Sequence, residues 1–287
     1  MANLRRLLML AVSVALFSCV SSAFLKSLKH KSLLNRKHNS AVSKRHESDD
    51  SGPKLFFKGR PLRPTTRVTR RHGTVLECEA GGSPGPTIHW LKDGERIDQG
   101  MFQNYRDEEA SFEDTIGKDG LPLLRLSTTR SKLYIECISP ETEGKYTCVA
   151  ETPYDRISQS TTIKVISRDI GSFNECVLKK SIKGEKARVY LWTATRVEFQ
   201  DNSVQLFCRA SGSPTPRLTW YDAEGEPIEP GHKYEIAENG DLIIKNINWF
   251  DMGVYTCMAS NKHGEDAIDT FLYPTFRDDE EEMLPPV

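Results

Sequence analysis

The chain has 287 residues, of which 39 are Lys or Arg and 40 are Asp or Glu, so its net charge of -1 provides no overall attraction to nucleic acid. Hydrophobic residues make up 38% of the sequence, with 12 Phe, 9 Tyr and 4 Trp, which excludes a wholly disordered chain. After residue 25 no apolar run approaches the roughly 18 residues that a bilayer requires, so we predict no transmembrane segment.

Residues 1–23 have the pattern of a secretory signal peptide. Two arginines precede an apolar run from Leu7 to Phe17, and Ser21 and Ala23 supply the small residues that signal peptidase needs. A signal anchor is the alternative, although the run is short for a bilayer. We expect the segment to be cleaved and the chain to be secreted into the oxidising extracellular space.

A basic arm is predicted at residues 24–54. Residues 26–45 contain seven lysines and arginines and no acidic residue. The sequence favours a disordered, solvated arm, and two functional alternatives stay open: a patch that binds heparan sulfate, and a propeptide that is cut after Arg45.

Two copies of one repeat follow. The segment Cys78–Trp90 aligns without gaps with Cys208–Trp220, and 7 of 13 positions are identical. Each copy later reaches the motif Gly-x-Tyr-Thr-Cys, which ends at Cys148 in the first copy and at Cys257 in the second. This order of Cys, Trp and Tyr-x-Cys is typical of an immunoglobulin sandwich, in which a disulfide joins the two sheets and the Trp packs against it.

We therefore predict an all-β chain with two tandem immunoglobulin sandwiches of I-set-like type. The first should occupy residues 55–167 and the second residues 187–275, with a connector at 168–186 and an acidic tail at 276–287. The predicted core bridges are Cys78–Cys148 and Cys208–Cys257. Four aromatic residues should lie in the cores, where each tyrosine returns its hydroxyl to nearby backbone: Trp90, Tyr146, Trp220 and Tyr255.

Two further cysteines stand outside this pattern. The repeat alignment places Cys137 at an outward position near the end of a strand, so it cannot join the core bridge. Cys176 follows the last strand of the first domain, predicted at residues 157–166, which should finish at the same end of the sandwich. A Cys137–Cys176 bridge would pin the connector to the first domain, and the alternative is a pair of free thiols or a bond to another chain.

The first domain is also longer than the second. Trp90 and Cys148 are 58 residues apart, against 37 for Trp220 and Cys257. The additional residues lie roughly between positions 95 and 130. A functional or mobile loop and the added strands of a larger sandwich explain this insertion equally well.

The start of the second domain is apolar on both faces of its predicted strand. Val189 and Leu191 alternate with Tyr190 and Trp192, so only one of these pairs can cover the domain's own core. The other pair must be covered by the first domain, which the sequence favours, or by a binding partner. Tyr190 and Trp192 are accordingly the candidate partner-binding residues.

No motif in the sequence indicates an enzyme. Gly81-Gly82-Ser83-Pro84-Gly85 matches the pattern of a hydrolase nucleophile elbow, but an elbow must join a strand to a helix, and here two prolines lead into another strand. No Cys or His spacing indicates a metal site, and no phosphate loop or dinucleotide motif is present. We expect no catalytic residue, no metal, no cofactor and no binding to nucleic acid.

The second repeat carries a more specific resemblance. The segment Asn239–Ile244, the motif from Trp249 to Cys257 and the segment Asp269–Pro274 resemble the second domain of the nematode zwei-Ig secreted proteins. They are also similar to the insect neural/ectodermal development factor that binds insulin-like peptides. The resemblance covers about residues 60–275. The presence of Cys137 and Cys176 looks more like the nematode members than like the insect factor.

This resemblance implies a soluble extracellular binding protein. The nematode family is associated with keeping axons in position, so the leading hypothesis is nervous-system maintenance through a neuronal surface protein or another secreted protein. The insect relative implies the alternative of a decoy that traps an insulin-like peptide and damps growth signalling. A matrix component held by the basic arm is the third hypothesis, and the oligomeric state stays open.

Overall fold

The computed structural model describes residues 54–69, 73–99, 126–166, 176, 178 and 182–276. The chain divides into one unit of residues 1–50 and another of residues 51–287, and everything described here belongs to the second. The predicted signal peptide, the basic arm except Lys54 and the acidic tail except Phe276 lie outside the described residues, as do most of the connector and most of the insertion in the first domain.

The described part of the first domain consists of strands and one 3-10 turn. Polar and apolar residues alternate along its strands. In the strand Thr74–Ser83, for example, Leu76, Cys78 and Ala80 point inward and Glu77 points to solvent. The strands are β1 (Lys54–Phe57), β2 (Thr65–Val68), β3 (Thr74–Ser83), β4 (Thr87–Lys92), β5 (Glu95–Arg96), β6 (Leu126–Ile135), β7 (Gly144–Glu151) and β8 (Arg156–Val165).

The second domain repeats this pattern with a longer first strand. Its strands are β9 (Glu185–Phe199), β10 (Val204–Leu206), β11 (Cys208–Ser213), β12 (Arg217–Tyr221), β13 (Tyr234–Ile236), β14 (Leu242–Ile244), β15 (Gly253–Asn261) and β16 (Gly264–Thr275). In each domain a 3-10 turn precedes the strand that carries the second core cysteine, at Pro140–Thr142 and at Trp249–Asp251.

One sheet runs through both domains. Its strands follow the order β1-β3-β6-β9-β16-β15-β12, and β11 pairs with β9 beside this path. Two smaller sheets complete the sandwiches, with the orders β2-β8-β7-β4-β5 and β10-β14-β13. The two domains are therefore joined by backbone pairing as well as by the chain between them.

The strand that joins the domains is β9. It pairs antiparallel with β6 of the first domain, from Leu191 opposite Ser131 to Val197 opposite Leu126. It also pairs antiparallel with β11 and parallel with β16 inside its own domain. The first strand of the second domain thus extends the β1-β3-β6 sheet of the first, which fixes the orientation of the two domains.

Polar contacts on the outer side of β6 reinforce this junction. The Tyr134 hydroxyl donates to the Val189 carbonyl oxygen at 3.4 Å, and the guanidinium carbon of Arg188 lies 4.7 Å from the centroid of the Tyr134 ring. Arg188 also forms an ion pair with Glu136 of the first domain. Cation–π contacts and partly buried ion pairs of this kind add specificity of orientation to the backbone pairing.

The two cores contain the residues that the repeat indicated. Trp90 and Trp220 have no exposed surface, and the structure pairs Cys78 with Cys148 and Cys208 with Cys257. Each core tyrosine closes a corner, because the Tyr146 hydroxyl donates to the Thr142 carbonyl at 2.9 Å and the Tyr255 hydroxyl donates to the Asp251 carbonyl at 3.1 Å. Cys137 is bonded to Cys176, with Cα atoms 5.7 Å apart.

The buried tyrosine corner makes stability fall in alkaline solution. Burial, with a smaller contribution from the carboxylate of Asp93, raises the pKa of Tyr146 from 10.0 to about 12. Because the unfolded chain releases this proton first, the contribution is complete below pH 10 and is lost as the pH rises to about 12, at a cost of about 2–3 kcal/mol. Urea unfolding at a series of pH values measures this loss.

The matched variant for this prediction is Tyr146→Phe. Without the hydroxyl it should lose about 1 kcal/mol near pH 8, where its hydrogen bond is missing, but fall less steeply between pH 10 and pH 12. Parallel curves for the two proteins over that interval would contradict the assignment.

Candidate protein-binding face

The structure buries both candidate partner-binding residues of β9. Tyr190 is 9% exposed and Trp192 is 4% exposed. Tyr190 and Leu191 pack into the core of the first domain, whereas Val189 and Trp192 pack into the core of the second. Tyr190 and Trp192 are therefore part of the packing between the domains, and a partner cannot reach them without separating the domains.

A bulge in β9 explains why the residues divide in this way. On β11, Arg209 lies opposite Leu191 and the next residue, Ala210, lies opposite Val189, so Tyr190 has no register partner on that strand. A bulge resets the alternation of side chains along a strand. Simple alternation predicted the pairs 189/191 and 190/192, and this division is wrong because the inserted residue places Val189 and Trp192 on one face.

An exposed apolar surface lies elsewhere, on the outer face of the continuous sheet where β6 of the first domain meets β9 and β16 of the second. Leu126 of β6, Val197 of β9 and Tyr273 of β16 are register partners across three neighbouring strands, so their side chains form one row on one face. In the adjacent region Phe271 is the register partner of Val254 on β15. Leu126 and Tyr273 in this row are 40% and 37% exposed, and Val254 beside it is 44% exposed, so this surface is open to solvent.

An aromatic cluster lies at the end of this face, formed by Trp249, Tyr273 and Phe276. The Trp249 ring meets the Tyr273 ring edge-on with centroids 5.9 Å apart and stacks on the Phe276 ring with centroids 6.0 Å apart. Trp249 is 41% exposed and Phe276 is 37% exposed, and the neighbouring Phe250 is 96% exposed. Aromatic side chains of this size are normally buried, so their exposure together marks an interaction surface.

Local hydrogen bonds hold the cluster in place. The 3-10 turn at Trp249–Asp251 is capped by Asn248, whose side-chain oxygen accepts from the Phe250 N–H at 2.9 Å. The Asp251 carboxylate accepts from the Asn248 N–H at 2.7 Å, and Gln200 of the β9–β10 loop accepts from the Trp249 N–H at 3.0 Å. A partner therefore meets a preorganised surface and loses little conformational entropy in ordering it.

The charges beside the apolar surface are negative. The exposed Asp269 lies two residues before Phe271 on the outer face of β16 and accepts a hydrogen bond from the Thr256 hydroxyl at 2.8 Å. Asp201 is exposed next to Gln200, the residue that holds the turn of the aromatic cluster. An apolar centre with acidic residues at its edge suits a partner surface that is apolar with basic residues around it.

Sequence reasoning missed this cluster, although the repeat contains a signal for it. The alignment of the two copies places Trp249 and Phe250 at the positions of Pro140 and Glu141. Both segments form the same three-residue 3-10 turn. Because the first copy forms this turn without aromatic residues, the turn does not require the two exposed aromatic residues of the second copy. A comparison of the copies at exposed positions would have identified the site.

The hydrolase-like motif does not have the strand-to-helix turn that a nucleophile elbow requires. Gly81, Gly82 and Ser83 form the end of β3, and the chain continues from Pro84 into β4 rather than into a helix. Within the described ranges no group of three or more His, Cys, Asp or Glu residues is arranged to hold a metal ion. Among the same residues no helix has the length and apolar character to cross a bilayer.

Comparison with known proteins agrees with this architecture. The Immunoglobulin domain family matches residues 60–152 and the Immunoglobulin I-set domain family matches residues 193–273. The prediction of two immunoglobulin sandwiches is confirmed. Immunoglobulin domains are binding modules and not catalytic ones, and the two matches together cover most of the described chain, so the chain is a non-enzymatic binding protein.

Individual proteins are also similar over most of the chain. Zwei Ig domain protein zig-3 of Caenorhabditis elegans is 34% identical over 72% of this chain and 76% of its own length. Neural/ectodermal development factor IMP-L2 of Drosophila melanogaster is 28% identical over 76% of both chains. The crystal structure of IMP-L2 matches with a TM-score of 0.59 at 24% identity, covering 79% of this chain and 98% of that one, which shows a shared fold.

Proposed function

Because the chain belongs to the Zwei Ig domain protein family, we propose that it is a secreted protein that binds a protein partner in the extracellular space. The aromatic cluster of the second domain is the observation that carries the proposal of a protein partner. The bridge between Cys137 and Cys176, added to the two core bridges, suits an oxidising compartment. The signal-peptide pattern of residues 1–23 supports secretion independently.

The partner that fits the surface is a protein with an exposed apolar patch bordered by basic residues. Trp249 and Phe276 supply aromatic anchors, and Asp201 and Asp269 supply the complementary charge at the edge. Membership in the Zwei Ig family favours a partner on or near neurons and a role in maintaining the nervous system and the position of axons.

A second candidate function is the capture of an insulin-like peptide. The similarity to the neural/ectodermal development factor over 76% of the chain supports it, because the resemblance to that factor implies binding of insulin-like peptides. In this case the protein is a soluble decoy that lowers hormone signalling. Both candidates use the same surface and differ in the size and source of the partner.

Removing the aromatic surface should weaken partner binding. We expect the double variant Trp249→Ala, Phe250→Ala to reduce affinity at least about tenfold, since buried aromatic anchors each contribute about 2 kcal/mol or more to an interface. Binding of the purified chain to the surface of cultured neurons and to a panel of insulin-like peptides measures the effect and separates the two candidates.

The control for this experiment is Tyr154→Ala. Tyr154 is 60% exposed in the turn before β8 of the first domain, so its removal takes away a comparable exposed aromatic ring from another surface. This variant should bind as the unaltered chain does. Equal binding by the double variant and the control would overturn the proposed surface.

A further inference from the structure

The last strands of the two domains have the same place in the fold but opposite surface chemistry. β8 and β16 each pair antiparallel with the strand that carries the second core cysteine, β7 or β15. The outer face of β16 presents acidic and apolar residues: Glu265, Ala267, Asp269, Phe271 and Tyr273. The outer face of β8 presents only basic and hydroxyl residues: Arg156, Ser158, Ser160, Thr162 and Lys164.

The strands beside β8 continue this chemistry at its Lys164 end, whereas at the Arg156 end β7 places the buried Val149 opposite Ser158 and Glu151 opposite Arg156. On β2, Thr65 is the register partner of Thr162, and Arg67 is the register partner of Lys164. On β7, Lys145 is the register partner of Thr162. Since register partners point to the same face, Arg67, Lys145 and Lys164 lie together around a row of hydroxyls. We call this surface, with Arg156 at its far end, the basic face.

The positive charges of the basic face are not fully neutralised by the protein. Arg67 and Lys164 are exposed and lie directly opposite each other, an arrangement of like charges that is unfavourable in a sheet. Neither forms an ion pair with any acidic residue in the part of the chain that the structure describes. Arg156 has an ion pair with Glu151 at 3.4 Å, so the strongest positive potential lies at the Lys164 end.

Two carboxylates near that end are engaged by backbone N–H groups, and the first is Asp93, which accepts from the Lys145 N–H at 2.8 Å. Glu143 accepts a hydrogen bond from the Val165 N–H at 2.7 Å, which holds it to the backbone beside Lys164. The segment that leads into β2 increases the positive charge further, because residues 60–69 include Arg60 and Arg63 and no acidic residue. A bound polyanion would relieve the repulsion between Arg67 and Lys164.

We propose that the basic face of the first domain binds a sulfated polysaccharide. From Arg156 to Lys164 the face extends over about 26 Å at roughly 3.3 Å per strand residue, with alternate side chains on one side, which suits a linear polyanion lying along the strand. The basic side chains bind sulfate groups, and the hydroxyls between them donate hydrogen bonds to sulfate and sugar oxygens.

An acidic protein partner fits this face less well. Protein interfaces have an apolar centre, and no side chain on the outer face of β8 is apolar. The two domains thus have different binding functions. The aromatic cluster of the second domain binds a protein, and the basic face of the first domain binds a polysaccharide. This inference is independent of the partner that the second domain binds, and it concerns residues other than the basic arm at 26–45.

The test compares two triple variants of the full chain. In one the basic face is neutralised by Arg67→Gln, Lys145→Gln and Lys164→Gln. In the matched control three exposed bases of the second domain are neutralised by Lys186→Gln, Arg217→Gln and Lys262→Gln, which removes the same charge. All six residues are exposed, so both proteins should keep the thermal midpoint of the unaltered chain.

Binding to immobilised heparin is measured at increasing salt, with unsulfated hyaluronan and polyglutamate as comparison probes. We expect neutralisation of the basic face to weaken heparin binding at least about tenfold at 0.15 M salt and to reduce its salt dependence, while the control changes it less than about twofold. Equal losses in the two variants, no loss in either, or polyglutamate binding as strong as heparin binding would each overturn the proposal.

Discussion

Replacing Asp241 by Ala should lower the free energy of unfolding by about 3–5 kcal/mol. Asp241 is fully buried in the second domain and accepts three hydrogen bonds, from the Cys208 N–H at 3.0 Å, the Gln205 side chain at 2.9 Å and the Arg209 guanidinium at 3.1 Å. Arg209 is only 5% exposed. The substitution therefore removes the carboxylate that balances a buried positive charge and leaves a buried backbone donor without its acceptor.

A conservative variant shows which part of this loss comes from charge. Asp241→Asn keeps an oxygen that can accept from the Cys208 N–H but removes the negative charge beside Arg209, so we expect a loss smaller than that of Asp241→Ala. Urea unfolding followed by circular dichroism measures both. If Asp241→Asn is as stable as the unaltered chain, the ion pair with Arg209 adds nothing beyond its hydrogen bonds.

The first domain provides a control at the matching position of the repeat. Glu79 stands where Arg209 stands in the second copy, and it pairs with Arg130 at 2.7 Å. The Arg130 and Glu79 side chains are 41% and 13% exposed, against 6% and 0% for Arg209 and Asp241, so water screens this pair more than the buried one. Glu79→Ala should cost less than about 1 kcal/mol. Equal losses for Glu79→Ala and Asp241→Ala would contradict the argument from burial.

Replacing Trp192 by Ala should cost about 3–5 kcal/mol of stability. Its indole packs into the core of the second domain, and the Lys132 ammonium of the first domain lies 5.1 Å from the ring centroid. The variant leaves a large cavity at the strand that the domains share. By contrast, Phe250→Ala should change stability by less than about 0.5 kcal/mol, because Phe250 is 96% exposed.

The same two positions should show the reverse order in partner binding. Since Trp192→Ala can prevent folding, Trp192→Phe is the variant to test, and it should bind the partner as the unaltered chain does. Phe250→Ala should bind more weakly, because its ring lies beside the aromatic cluster. If Trp192→Phe binds the partner more weakly at unchanged stability, Trp192 is part of the binding surface and the assignment made here is wrong.

Part of this molecule was visible in local sequence patterns. A cysteine, a tryptophan 12 residues later and a tyrosine two residues before the second cysteine occur in both copies, and each of these residues has a fixed place in the sandwich. The alternation of Leu76, Glu77 and Cys78 likewise follows from the period of a strand. These signals lie within a few residues of one another, so they can be read without knowing what packs against them.

The surfaces could not be read in the same way. Tyr190 and Trp192 looked equivalent in the sequence, but the bulge in β9 turns one toward each domain, and both are buried because β6 pairs with this strand. The basic face depends on β2 lying next to β8, which places Arg67 beside Lys164 although 97 positions of sequence separate them.

The sequence by itself therefore determined the two sandwiches and their core residues, because these depend on short-range periodicity and on residues whose chemistry is specific, and the class of binding protein followed from the resemblance to a family. The tertiary structure decided which apolar residues are hidden between the domains and which remain exposed at the aromatic cluster. The physical reason is that exposure depends on pairing between strands that are distant in the chain, and a single bulge changes the face to which every following side chain points.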